Sequence, residues 1–305
     1  MWFKNLTLFR FLEPFTLSAE VLAERLGRFP FRACASLEPV TYGWVPALGP
    51  KASDFVHASN GCLLFCLQAE QRVLPAAVVR EAIASRTEIL EDKENRALRR
   101  HERLALRDEI LQDLLPRAFT CRRQSFAYID PRDGWLVIDS VARKAVEEVT
   151  QRLRETLGRL AIGPLKLSKT PAGVMTSWLQ QGDLPAGFTL GDECELRDGN
   201  EQGGVVRCKG QDLTGTEIQA HVSAGKQVTR LALSCDERID FVLSEDMSVR
   251  RLRFRELGKP ELEASQAQNP EALHDAEFTL ISGELSLLLP RLVELLGGER
   301  EHDAL

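Results

Sequence analysis

The sequence is poor in what catalytic centres are built from. Its five histidines (His57, His101, His221, His274 and His302) stand apart, with no His-x-x-x-His spacing and no His-x-Glu beside cysteines. Seven cysteines are scattered and form no Cys-x-x-Cys pair, which argues against a structural zinc site or a redox motif. Phosphate-binding Gly-x-x-x-x-Gly-Lys-Ser/Thr loops and Gly-x-Ser-x-Gly elbows are absent. Acidic pairs such as Asp236-Glu237 and Glu245-Asp246 fall at expected hairpin turns, where solvated carboxylates belong. The expectation is a protein that is not an enzyme, holds no metal or cofactor, and keeps its thiols reduced and mostly buried. No apolar run reaches the roughly 18 residues of a membrane span. The segment Met1–Phe9 lacks the layout of a signal peptide, so a cytosolic location is expected.

Basic side chains beside an aromatic are present. In Leu114-Leu-Pro-Arg-Ala-Phe-Thr-Cys-Arg-Arg-Gln124 a helix is expected to stop at Pro116, and its exit carries Arg117, Phe119, Arg122 and Arg123. Arginines interleaved with an aromatic suit a polyanion whose bases can be stacked upon or wedged. A solvated helix cap would look the same. The net charge of −6 argues at first against such a partner, but it is unevenly spread. Residues 256–305 hold three Lys/Arg against eleven Asp/Glu, whereas residues 117–160 hold nine basic against six acidic. Local field rather than net charge governs binding.

Along the chain, Trp2–Phe9, Thr41–Val45 and Gly61–Leu67 are expected strands, and Leu17–Leu26 an amphipathic helix capped by Ser18. Cys62-Leu-Leu-Phe-Cys66 resembles a buried strand. From Pro75 to Leu115 the spacing predicts the longest helical stretch, with Ile83, Leu90, Ala97, Leu104 and Leu111 seven apart as a narrow seam. Two antiparallel helices broken near Glu91–Asn95, or one long helix against a partner, both fit. The face is either a solvated projection or a dimer contact. Ser125–Ile129 and Gly134–Ser140 form an expected hairpin, followed by a helix over Ala142–Leu157.

Beyond Leu165 a second unit is expected. It has a short helix at Thr176–Gln181, extended segments Thr189–Arg197 and Gly204–Lys209 around a turn at Asp198–Gly204, and a helix opened by a Thr214–Glu217 capping box. A meander of Lys226–Ser234, Arg238–Leu243 and Ser248–Phe254 follows. Glu277–Leu280, then Leu285–Leu296 and Gly297-Gly298, close the chain with an amphipathic helix and a C-cap. A second basic group, Arg207, Lys209, Lys226 and Arg230, would align on a sheet face or its rim. There it would protect an edge or contact phosphates together with Gln211. Arg250, Arg251, Arg253 and Arg255 make a third basic strand. The fold class is α+β.

Met1-Trp-Phe-Lys-Asn-Leu, Tyr42-Gly-Trp-Val-Pro, Leu114-Leu-Pro-Arg-Ala-Phe, Gly203-Gly-Val-Val-Arg-Cys-Lys, Gln211-Asp-Leu-Thr and Ala224-Gly-Lys, in this order and spacing, resemble the bacterial recombination-associated RdgC family. The resemblance runs from Met1 to Gly298. It implies a ring-shaped homodimer that admits double-stranded DNA through a basic hole, with single-stranded DNA a further ligand. It also implies little sequence preference, antagonism of the recombinase RecA, and a cytoplasmic, nucleoid-associated protein. The subunit would comprise a centre domain (1–74 and 117–163), an inserted helical tip (75–116) and a base domain (164–305). By matched motif, the family's DNA-contacting finger falls on Arg117 and Phe119, and its basic sheet positions on Lys209, Gln211 and Lys226. Gly210 stands where the family has a basic residue, a loss that Arg122 and Arg123 would offset. The rival expectation is a protein-interaction module whose tip helices dock on a recombinase directly.

Overall fold

Cys62-Leu-Leu-Phe-Cys66 is apolar at every position because its strand is buried on both faces. In the computed structural model, which describes residues 3–50, 52–199, 203–255 and 270–300, this run opens the twelve-residue strand β4 (Cys62–Val73). Leu63, Phe65 and Leu67 point into one core, and Cys62, Leu64 and Cys66 into another. Burial pushes the Cys62 and Cys66 thiols up to about 12, which keeps them protonated and inert.

Around β4 an antiparallel sheet assembles in the order β2-β4-β5-β6-β1-β7, with β3 also pairing β4. Its members are β1 (Thr7–Phe11), β2 (Val40–Val45), β3 (Val56–Ser59), β5 (Phe119–Asp130), β6 (Trp135–Ile138) and β7 (Ile162–Pro164). Helices α1 (Ala19–Gly27) and α4 (Arg143–Leu157) cover one face through Leu22, Leu26, Val149 and Leu153. The Ser18 side chain accepts from Val21 N–H and caps α1 as expected.

The second sheet, in the order β12-β11-β10-β8-β9, contains β8 (Phe188–Arg197), β9 (Val205–Lys209), β10 (Gln227–Cys235), β11 (Ile239–Ser244) and β12 (Val249–Phe254). One face packs on α5 (Pro171–Gln181), α6 (Thr216–Ser223) and the long α7 (Pro270–Leu295). Helix α7 also meets the first sheet: His57 Nε2 lies 2.7 Å from Asp275, and the Ser59 and Thr279 hydroxyls are 2.6 Å apart. A single apolar cluster therefore runs from Leu64 and Tyr128 through Phe278 and Leu285 to Leu231 and Phe241. The chain is α+β. No described helix is long and apolar enough to cross a membrane.

Helices α2 (Ala76–Glu94) and α3 (Arg100–Leu114) form a hairpin inserted between β4 and β5. Of the two arrangements the spacing allowed, the antiparallel pair is the one formed. Asn95 ends α2 in the left-handed conformation, φ 52°, and this resets the helical phase. The sevenfold seam consequently breaks: Ala97 lies in the turn and Leu104 is exposed, while Leu98, Leu106 and Ile110 pack against Ile83 and Leu90.

Other expectations are corrected. The first strand begins at Thr7, because residues 4–6 pair instead with β12 through Leu6–Val249 and Lys4–Leu252 hydrogen bonds. Residues 117–124 are not a helix cap: after a 3₁₀ turn (Leu115–Arg117) the chain enters β5 at Phe119. The Thr214 capping box does not form, since Gly215 is the N-cap and Thr214 hydrogen-bonds Asp212. Helix α5 starts five residues earlier than expected, with Pro171 at its first turn. The closing helix α7 is longer than Leu285–Leu296 and begins at Pro270. Trp2, part of the Asp198–Gly204 turn, residues 256–269 of the acidic stretch and His302 lie outside the described residues.

Candidate nucleic-acid interface

The outer half of the β4–β5 ladder leaves the core, and its composition changes accordingly. Past Leu67, β4 reads Gln-Ala-Glu-Gln-Arg-Val, and the facing residues of β5 are Phe119–Gln124. Here β5 pairs only with β4, since β6 reaches no further than Ala127. Arg72 fastens the root of the helical hairpin: it donates to the Leu115 and Ala118 carbonyls at 3.0 and 3.3 Å and to the Ala35 carbonyl at 3.1 Å. Carbonyls left open at a helix end are natural acceptors for a guanidinium.

At the end of this ribbon Phe119 is 88% exposed, with Arg117 exposed beside it and the half-exposed Val73 as its cross-strand partner. Phe119 has no apolar cover, and its ring is presented to solvent on a rigid ladder. Arg122 and Arg123 point to opposite faces of β5, as period two requires. Both are already engaged. Arg122 Nε donates at 2.6 Å to Glu70, which is only 2% exposed and also accepts the Cys34 N–H. The Arg122 hydrogen bond, then that of Cys34, holds the Glu70 carboxyl below its ordinary value. Arg123 pairs with Glu148, which also accepts the Tyr42 hydroxyl at 2.9 Å. These two arginines therefore stitch the ribbon to its neighbours, a role that strand register decides and sequence spacing alone does not reveal.

The second sheet turns its other face outward. Arg207 and Lys209 lie two apart on β9 and share that face, with Val206 and Cys208 on the packed side. Six cations there share three carboxylates. Glu195, 4% exposed, accepts Arg207 at 2.8 Å, Arg230 at 3.4 Å and Arg197 at 3.5 Å. Glu193 takes Lys209 at 3.9 Å and also Arg251, while Asp240 takes Arg255 at 2.7 Å. Burial pushes the Glu195 carboxyl up, but the Arg207 hydrogen bond and the field of Arg230 outweigh it, so the pKa ends below its usual value. The ionised carboxylate holds the guanidiniums in place and leaves positive charge in excess.

Lys226 does not join this group. It sits at the far end of the β8–β9 ladder, its ammonium 3.3 Å from the Gly204 carbonyl and 3.7 Å from Asp198. Gln211 lies at the opposite end, where its N–H donates to the Asp192 carbonyl at 3.3 Å. Gly210 adopts φ +64° with open space where a Cβ would stand, a conformation glycine reaches without the cost of about 1–2 kcal/mol borne by other residues. Sequence reasoning missed Glu70, Glu193 and Glu195, the acids that organise these cations. Period-two alternation of Glu193 and Glu195 opposite Arg207 and Lys209 was the available signal.

Among the described residues, no group of three or more His, Cys, Asp or Glu side chains is placed to hold a metal ion. A family model described as "Putative exonuclease, RdgC" matches residues 1–299. Proteins named "Recombination-associated protein RdgC" are similar over nearly their whole length. That of Aeromonas hydrophila is 42% identical over 301 residues, 99% of each chain. That of Halorhodospira halophila is 42% identical over 300 residues, 98% of this chain and 99% of its own. That of Pseudomonas paraeruginosa is 42% identical over 301 residues, 98% of each.

Proposed function

Because the chain belongs to the RdgC family, we propose that it acts in recombination by binding DNA without sequence preference. In this reading it closes around duplex DNA as a homodimeric ring and restrains a RecA-type recombinase by occupying its DNA. The observation that carries the reading is Phe119, a bare aromatic beside Arg117 on the ribbon end. An aromatic so placed suits a base step or a groove wall. The cation excess on the outer face of the second sheet supplies phosphate neutralisation, and counterion release supplies most of the affinity. Lys209, Gln211 and Lys226 contact phosphates from the two ends of the β8–β9 ladder.

The inserted helical hairpin supports a division into a centre (1–74 and 117–163), a tip (75–116) and a base (164–305). Dimer contacts at tip and base would close the ring and retain DNA kinetically. The protein would then work in the cytoplasm, associated with the nucleoid.

Fluorescence anisotropy of the purified chain with a short duplex and its single strand, over a salt series, tests this reading. Expected are a steep salt slope, no dependence on sequence, and uniform weakening in Phe119→Ala and in Lys209→Ala with Lys226→Ala. An absence of binding at low salt would overturn it. A second reading, direct docking of the tip on a recombinase, is favoured by the exposed Ile89 and Leu104 on that hairpin. It predicts that charge reversal on α2–α3 abolishes inhibition at unchanged DNA affinity. The family's exonuclease description makes a third outcome measurable, namely metal-dependent shortening of the DNA ends in the same mixtures.

A further inference from the structure

Three register shifts break the ladders of the second sheet, and two of them face each other across it. On β8 the register slips between the Leu231–Cys194 and Leu233–Leu190 pairs. Gly191 there comes so close to Ala232 that a Cβ would stand 2.7 Å from the Ala232 Cβ. On β12 the register slips between the Asp240–Arg253 and Val242–Arg250 pairs, where Arg251 takes φ 52°. Bulges of this kind re-aim side chains and open space in a ladder. Between them lies a groove of about 590 Å³, floored by Ala232, Ser234 and Val242 and bordered by Arg251, Arg253 and Arg255.

Two features of the groove are left over by the fold. Ser234 is only 5% exposed, and among the described residues its hydroxyl has no partner at full hydrogen-bond geometry; it faces only the Asp240 carboxyl, which it helps to hold low and which Arg255 already engages. A buried hydroxyl that faces only a carboxylate already held by another donor can turn its proton to an incoming acceptor. Arg253 is exposed and, unlike Arg251 and Arg255, makes no ion pair among the described residues, although its field reaches Asp240. An acceptor-rich anion is the chemistry that answers both a donor hydroxyl and a spare guanidinium. Three acids line the groove: Glu193 and Asp240 are neutralised by Arg251 and Arg255, and Asp192 stands exposed at the β8 bulge.

We propose that this groove is a phosphate subsite that takes a phosphodiester of the DNA backbone, with Arg253 and Ser234 as its donors. The inference rests on the DNA-binding reading and extends it. Lys209 and Arg207 on β9 and Arg253 on β12 stand at the two edges of one five-stranded face. At about 4.8 Å per strand the two edges are roughly 19 Å apart, which is several phosphates along a backbone. A strand of DNA would then cross the sheet from β9 to β12.

The test compares the intact chain with Arg253→Gln, Arg253→Glu and Ser234→Ala in two arms. In the first, anisotropy of a short duplex is measured over a salt series. Loss of one phosphate contact lowers the salt slope by about one unit. We expect this for Arg253→Gln, with affinity falling about fivefold, a larger loss for Arg253→Glu and a smaller one for Ser234→Ala. In the second arm, inorganic phosphate alone is titrated while the thermal midpoint is read, which also reports whether each variant folds. Duplex binding by the intact chain with unchanged affinity and slope in both Arg253 variants would overturn the subsite and leave DNA binding standing. Loss of the phosphate effect without any change in duplex binding would overturn it too, as a site for free anion only. Failure of the intact chain to bind duplex would instead strike the underlying reading.

Discussion

The two sheets are both antiparallel and differ in how they are covered. The first has helices α1 and α4 on one face and α7 on the other, and its central strands are apolar at consecutive positions. Among the described residues, the second is covered on one face only. Its strands alternate, so Cys194, Leu196, Leu231 and Leu233 turn inward while Glu193, Glu195, Arg207 and Arg230 turn outward. Stability resides in different places in the two sheets. The first is held by volume. The outer face of the second is held by charge, and charge exchanges with ligands where packed volume cannot.

The largest loss of stability is expected for Trp44→Ala in the first sheet. Trp44 is fully buried, donates to Thr156 Oγ1 at 2.9 Å and meets the Phe65 ring edge-on at 5.5 Å. Urea unfolding should show a loss of about 3–5 kcal/mol. Next in size is Gly43→Ala. A Cβ at Gly43 would lie 2.2 Å from the Phe31 Cα, a backbone neighbour that cannot turn away. The crossing segment is bound there by Phe31 N–H to the Trp44 carbonyl and Trp44 N–H to the Phe29 carbonyl. A loss of about 1–3 kcal/mol is expected in the same measurement.

On the outer face of the second sheet the expected effects are smaller and differ in kind. Glu195→Gln should cost about 1–2 kcal/mol, less than a fully buried pair because its arginines are partly solvated. It should tighten DNA binding by freeing three guanidiniums, so stability and affinity move in opposite directions. The pH dependence follows from the lowered carboxyl. The contribution of Glu195 is complete above the ordinary carboxylate pKa and fades as pH falls through its lower folded value. An acid titration that destabilises the native chain but leaves the Glu195→Gln difference constant down to pH 3 would contradict this. Smallest of all, Phe119→Ala should leave stability within about 0.5 kcal/mol of the parent in urea, because its ring covers nothing.

Much of this contrast was legible in the sequence. Consecutive apolar residues at 62–66 announced a strand buried on both sides, and the alternation through 227–254 announced a meander with one wet face. The Ser18 cap and the hairpin over residues 130–135 were equally plain. Local pattern failed where the phase was reset from outside the window. One left-handed residue, Asn95, moved the hairpin core off the sevenfold seam and onto Leu98, Leu106 and Ile110. Residues 4–6 belong to a sheet completed some 240 positions later, which no local periodicity reports. The glycine of Tyr42-Gly-Trp-Val-Pro was visible as a motif, but its cause, a backbone passing at contact distance, was not. At the candidate site, spacing located the cations. It could not show that Glu70 and Glu148 already hold Arg122 and Arg123.

The bridge from Leu6 to Val249 has a consequence for the order in which the molecule is made. At about 5–20 residues per second, Leu6 leaves the ribosome roughly 10–50 s before its partner strand exists. Throughout that interval Leu6, destined for full burial, lacks its Val249 partner, although Phe3 can already meet Tyr128 of the first sheet. Closing this contact late ties the placement of residues 4–6 to arrival of the last strand of the second sheet. Nascent chains stopped short of Val249 should therefore be the ones that chaperones and proteases recognise.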